Sequence, residues 1–133
     1  MNKKEIRLFV FTEKGVYEYD AVANSLTQKA DGDHRELITG SANGYKQAFA
    51  KEAPVTLLMV IDFNLIGTKN EQTIMMGCVD AGNVSENINL YCQSVGLATV
   101  PRATHDTDGI RKLLALTDNQ LPIMNNPVGW QKK

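Results

Sequence analysis

The spacing of apolar positions along this chain changes several times, and each change marks an element. Ile6 to Phe11 is an apolar run of branched and aromatic residues, which predicts a strand. Thr12-Glu13-Lys14-Gly15 is a polar turn ending on glycine, and Val16 to Tyr19 resumes the extended pattern, so the two runs predict a hairpin. After a polar connection over Asp20 to Ser25, Leu26 to Gln28 adds a short third strand. Asp31-Gly32-Asp33 offers an N-cap for a short helix over His34 to Ile38. Gly40 to Gly44 is loop, and Tyr45 to Lys51 has helical character until Ala53-Pro54 stops it, because a proline disfavours helical backbone in the residue before it. Val55 to Ile61 is a continuous apolar run bounded by Pro54 and Asp62, the pattern of a strand buried on both faces.

A polar loop over Asn64 to Glu71 leads into the longest element, a helix from about Gln72 to Val95. Ile74, Cys78, Ala81, Ser85, Ile88, Cys92 and Val95 fall at alternating spacings of four and three, and Val84, Ile88, Tyr91 and Val95 form a second, overlapping stripe. The small residues Gly77, Ala81, Gly82 and Ser85 let another backbone approach closely. Two readings of this helix stand side by side: the central core helix of a domain, or a helix packed across a dimer interface. Gly96 ends it as a C-cap. Leu97 to Val100 is a short strand, Asp106 caps a helix over Thr107 to Leu116, Leu121 to Met124 is a final strand, and Pro127-Val128-Gly129 closes the domain.

Mixed order, with a hairpin ahead of the helices, makes the class α+β. The 133 residues are enough for one domain with its own core, taken as 1–133, and the 43% hydrophobic and 22% charged composition is that of a soluble globular chain. A net charge of -1 without a basic stripe argues against nucleic acid and anionic membranes as partners. No secretory signal follows Asn2-Lys3-Lys4-Glu5, and no apolar run approaches the roughly 20 residues of a membrane span. Cys78 and Cys92 lie 14 residues apart on one helix. At about 1.5 Å per residue that is about 21 Å, too far to bridge, so they read as two buried thiols in a reducing cytoplasm.

Familiar catalytic motifs are absent: no G-x-S-x-G, P-loop, H-E-x-x-H or C-x-x-C occurs. His34 sits in a polar stretch and reads as a surface residue. His105 follows Pro101-Arg102-Ala103-Thr104, a loop leaving a strand, and reads as structural. Asp31 and Asp33, like Asp106 and Asp108, bracket helix starts, where capping explains them. Asp80 and Glu86 do not share a helix face, so no carboxylate pair is set for acid–base work. This weighs against a hydrolase and less against a flavin enzyme, whose cofactor carries the chemistry while the protein binds and orients it.

The residues themselves suggest a family. Asp80-Ala81-Gly82-Asn83-Val84-Ser85-Glu86-Asn87, followed by Gly96-Leu97-Ala98-Thr99-Val100-Pro101, resembles the D-A-G helix and G-L-x-T loop of nitroreductases. Asn126-Pro127-Val128-Gly129 resembles their final P-V-G, and Gly15-Val16-Tyr17-Glu18-Tyr19-Asp20 resembles the hairpin of the SagB-type branch, with Asp33-His34-Arg35 and Ala53-Pro54-Val55 also similar. The resemblance implies a largely antiparallel sheet packed with helices around a long central helix. It implies a homodimer that binds FMN and passes hydride from NAD(P)H through the flavin to a small-molecule acceptor. It places Pro101, Arg102, Ala103 and Thr104 beside the isoalloxazine ring, with the Ala103 and Thr104 N–H groups facing its N5 and O4 edge. Arg102 either adds positive charge there or is a solvent-exposed loop residue.

Members of the family normally begin with a helix carrying an Arg-Ser-x-Arg-type motif for the FMN phosphate. That motif does not occur here, so the expectation is a shortened chain lacking the N-terminal part of the fold and the phosphate-binding segment. Lys132 and Lys133 either serve the phosphate or form a tail, and the tail is favoured. Removal of helices from such a fold exposes apolar surface, which predicts an oligomer. The alternatives to the oxidoreductase are a non-catalytic nitroreductase-fold remnant that binds a small molecule or its own copy, and an unrelated small dimeric structural protein.

Overall fold

The computed structural model describes residues 4–41 and 44–132. Asn2 and Lys3 of the N-terminus, Ala42 and Asn43 of the expected Gly40–Gly44 loop, and Lys133 of the basic tail lie outside the described residues. The hairpin forms as the sequence predicts. β1 (Ile6–Thr12) pairs antiparallel with β2 (Gly15–Asp20), and Thr12 Oγ1 accepts from the Lys14 and Gly15 N–H groups to close the turn. β3 (Ser25–Asp31) is longer than expected. Six of its seven residues are exposed, so its order comes from pairing with β2, which an apolar pattern does not register.

β4 (Val55–Asp62) lies between β1 and β6 (Gln120–Trp130), and β5 (Leu97–Thr99) forms the edge beyond β6. The strand order is β3-β2-β1-β4-β6-β5, antiparallel throughout. β6 corrects the expected short strand: it runs on through Pro127-Val128-Gly129 instead of ending before them. Pro122 is tolerated here because the ladder gives way locally. The register shifts between Met59 and Val60, where Met124 and then Pro122 stand opposite.

The short helix after Asp33 is one 3-10 turn, Arg35–Ile38. The helix expected over Tyr45 to Lys51 shrinks to α1 (Phe49–Glu52), because the backbone before it is used elsewhere: Gln47 N–H donates to Thr39 O at 2.7 Å and Gly40 bridges to Lys46. α2 (Glu71–Val95) starts with a reciprocal capping box between Asn70 and Thr73 and ends at Gly96, whose φ of 79° is left-handed. In α3 (Thr107–Leu114), Asp106 Oδ1 accepts from Gly109 N–H as expected, and left-handed Ala115 stops the helix two residues short of Leu116.

One sheet face carries the main core. Phe9, Phe11, Leu58 and Val60 pack there with Ile38, Ala50 and Ile110 from the 3-10 turn, α1 and α3. α2 lies on the opposite face, against β4, β5 and β6. Its buried positions are Thr73, Gly77, Ala81, Ser85 and Cys92, so the predicted seam is right at Ala81, Ser85 and Cys92, one residue out at Ile74 and Cys78, only half-buried at Ile88 and wrong at exposed Val95. Closeness decides this: a Cβ on Gly77 would sit 2.8 Å from Ile61 Cδ1, which only a small-residue stripe permits. Met75, Met76, Val79, Leu90, Tyr91 and Val95 are left exposed. Cys92 is buried as expected, whereas Cys78 is only half-buried; both are free thiols. No helix among the described residues is long and apolar enough to cross a membrane.

Candidate functional site

The segment from Val100 to Asp106 leaves β5 and runs on beside β6, bridging it at Arg102 and Asn125, before reaching α3. Two backbone bonds pin it to β6: Arg102 N–H donates to Asn125 O at 2.8 Å, and Asn125 N–H donates to Arg102 O at 2.7 Å. Asp106 N–H donates to Leu37 O, which fixes the far end. Between these anchors, neither the Ala103 nor the Thr104 N–H has an acceptor among the described residues. Ala103 is exposed and Thr104 half-buried, so the loop presents two adjacent free donors on a held backbone. A cleft of about 580 Å³ reaches this segment at Val100 and is lined by Phe49, Pro54, Ala98, Trp130 and Lys132 among others, with Pro101 to Thr104 outside its lining.

Arg102 departs from one of the two sequence readings of its side chain, the solvent-exposed one. It is neither solvent-exposed nor directed out of the loop, being only 6% exposed. Its guanidinium turns inward, donating from Nε to Gln47 Oε1 (2.7 Å), from Nη1 to Ile38 O (2.9 Å) and Asn125 Oδ1 (2.7 Å), and from Nη2 to Thr39 O (3.2 Å). The Phe49 ring stacks on it with its centroid 5.5 Å away. Every acceptor is neutral. Burial pushes the guanidinium below its ordinary value, and an arginine stays charged nonetheless.

Asn125 and Asn126 are adjacent in β6 and both fully buried. Strand alternation sends them to opposite faces. Asn125 Nδ2 donates to Thr104 O (3.2 Å) and lies 3.3 Å from His105 Nδ1, beneath the loop. Asn126 Oδ1 accepts from Ser85 Oγ (2.6 Å), and its Nδ2 donates to Asn89 Oδ1 (3.0 Å) and Thr99 Oγ1 (3.1 Å), joining α2 and β5 to β6. His105 is buried, with Nε2 3.2 Å from Pro122 O, so the imidazole donates there and accepts from Asn125. Burial, above all, holds it below its ordinary value, so it is a neutral structural residue, as the sequence suggests.

The remaining candidates are accounted for locally. Asp33 accepts from the Arg35 N–H and guanidinium, which holds its carboxyl below the usual carboxylate range. His34 is half-buried against Asp31 O rather than fully at the surface. Asp80 lies against Glu5, which burial and then this hydrogen bond raise above the usual range. No cluster of three metal-ligating side chains occurs among the described residues.

A family model described as the Nitroreductase family matches residues 1–130. The chain belongs to the nitroreductase family. "Putative nitroreductase MJ1384" of Methanocaldococcus jannaschii is 27% identical over 128 residues, covering 93% of this chain and 61% of that protein. A crystal structure of another protein so described, from Ralstonia eutropha JMP134, superposes with a TM-score of 0.81 at 25% identity, covering 97% of this chain and 59% of its own. One from Anabaena variabilis ATCC 29413 shares the fold at a TM-score of 0.81 and 18% identity, over 98% of this chain and 28% of its own. The chain thus spans about three fifths of the length of the first two relatives. Within this nitroreductase fold, motif reading singled out the loop as a candidate but not Gln47, Phe49 and Asn125, which pack beneath it, or Asn126 beside Asn125 in β6. An adjacent pair of asparagines inside an otherwise apolar strand was the available signal, since buried amides need assigned partners.

Proposed function

We propose that this chain acts as an FMN-dependent oxidoreductase, taking hydride from NAD(P)H and passing it through the flavin to a small-molecule acceptor. The observation that carries the reading is the pair of unsatisfied N–H groups at Ala103 and Thr104 on a loop pinned at both ends. Fixed donors of this kind suit the electron-rich edge of a flavin ring, and they cost no reorganisation when charge develops there. Bound FMN would supply the hydride chemistry in both directions. The chain's own residues bind and orient. Ala103 and Thr104 donate, Pro101 offers an apolar surface, and Arg102 holds the loop from below. Lys132 borders the cleft and would serve the phosphate, in place of forming the tail that the sequence favoured. Homodimerisation fits the same reading, since α2 leaves Met75, Met76, Val79 and Leu90 exposed on its outer side. Two free thiols suit a cytoplasmic location.

FMN titration tests the proposal. Uptake should quench flavin fluorescence, and FMN at about 100 times its Kd should stabilise the fold by about 2.7 kcal/mol. Ala103→Pro, which deletes one donor, should weaken binding about tenfold. Saturating FMN without quenching or thermal shift sinks the reading. The non-catalytic dimerising protein is the second reading, favoured by the same exposed face of α2; a stable dimer indifferent to FMN is its signature.

A further inference from the structure

We propose that Arg102 is a positioning residue whose buried, uncompensated positive charge beneath the loop biases the site toward the reduced, more negatively charged form of its cofactor. The inference rests on the FMN reading above and goes beyond it, because it assigns a redox-tuning role to a side chain that turns away from the loop's open side. Its four hydrogen-bond acceptors, from Gln47, Ile38, Asn125 and Thr39, are all neutral. No carboxylate of the described residues pairs with it within 4.0 Å, and none of the residues outside the described set is an Asp or Glu. Burying a charge without a counter-ion is costly, and a core that needed only a loop clamp could use a neutral amide. The cation is instead held rigidly: the backbone of the same residue is bonded twice to Asn125, and Phe49 stacks on the guanidinium. The next two residues along the chain carry the free N–H donors. A unit charge acting through roughly 10 Å of protein interior changes an equilibrium about tenfold, the scale on which reduced and oxidised cofactor are told apart.

Gln47 allows the charge to be cancelled without dismantling the clamp. Gln47→Glu is nearly isosteric and places a carboxylate on Arg102 Nε, whereas Gln47→Leu removes that one bond and keeps the cation bare. FMN binding and the two-electron midpoint potential of the bound flavin are measured for the native chain and both variants by equilibration with a reference dye, with thermal unfolding of the FMN-free proteins alongside. Gln47→Glu should reduce the preference for reduced over oxidised FMN about tenfold, a fall of about 30 mV for a two-electron couple, and should raise Tm by about 2 to 5 °C as the charge gains its partner. Gln47→Leu should leave the preference within about twofold. An unchanged potential in Gln47→Glu, or an equal fall in both variants, overturns the role of the charge. A native chain that takes up no FMN sinks the functional reading and the redox role with it. The thermal shift then separates the two failures, because a Tm unmoved or lowered by Gln47→Glu refutes the bare cation itself.

Discussion

Replacing Asn126 by alanine should destabilise the fold far more than the loss of one amide from a surface would. The side chain is fully buried and makes three hydrogen bonds, from Ser85 Oγ at 2.6 Å and to Asn89 Oδ1 and Thr99 Oγ1 at 3.0 and 3.1 Å. Truncation does not injure the three neighbours equally. Thr99 keeps its bond to Pro127 O at 2.7 Å, and Asn89 keeps Glu86 and is half-buried, within reach of water. Ser85 is 2% exposed, and its hydroxyl is stranded against the sheet. At about 1 kcal/mol net per lost bond, with one buried orphan, the expected cost is about 2 to 4 kcal/mol. That is a large share of the about 5 to 15 kcal/mol typical of a domain. Urea denaturation should show the midpoint falling at unchanged slope. The double variant with Ser85→Ala should lose less than the sum of the single variants, by about 0.5 to 3 kcal/mol, because the second change removes the orphan left by the first. A loss below about 1 kcal/mol, or strict additivity, refutes the idea that this amide ties α2 to the sheet.

Stability should also depend on His105. Burial lowers its folded value below the ordinary 6.5, so as pH falls through 6.5 the unfolded chain takes up the proton first, and stability declines from there down to the folded value. His105→Gln should flatten this slope in thermal unfolding between about pH 7.5 and about 5.5. Glu5, raised by burial, acts with opposite sign, and Glu18 and Asp33, lowered by Arg7 and Arg35, titrate further down, so subtracting the variant's curve isolates the imidazole. An identical slope in the variant refutes the assignment. Met76→Glu with Val79→Glu, both on the exposed side of α2, should shift light scattering from dimer to monomer, and a native chain already monomeric at high concentration contradicts the interface.

Elements that bury a continuous apolar surface were legible in the sequence. β4 reads directly from Val55 to Ile61, and α2 and α3 announce their ends through Gly96 and Asp106. Elements that exist through pairing were not. β3 buries little, and β6 continues past Pro122 because β4 shifts register opposite it, a tertiary accommodation with no local trace. On α2 the pattern found the helix but set its contact face by hydrophobicity, where the sheet selects small residues that let Ile61 approach Gly77. The candidate loop was legible only as a motif. That Arg102 points inward depends on Ile38, Thr39 and Gln47, more than fifty residues earlier, and spacing along the chain carries no such information.

The asparagine pair explains why a loop without regular structure can hold a fixed shape. Adjacent residues of one strand face opposite sides, so Asn125 and Asn126 put two buried amides back to back on β6. One amide ties the strand to α2 and to Thr99 just before the loop; the other holds Arg102, Thr104 and His105 within it. Neither amide tolerates being left unpaired, so the strand cannot slip by one residue without stranding polar groups on both faces. Register, helix docking and loop shape are therefore coupled, and the free N–H groups of Ala103 and Thr104 inherit a rigidity that their own exposed positions could not provide.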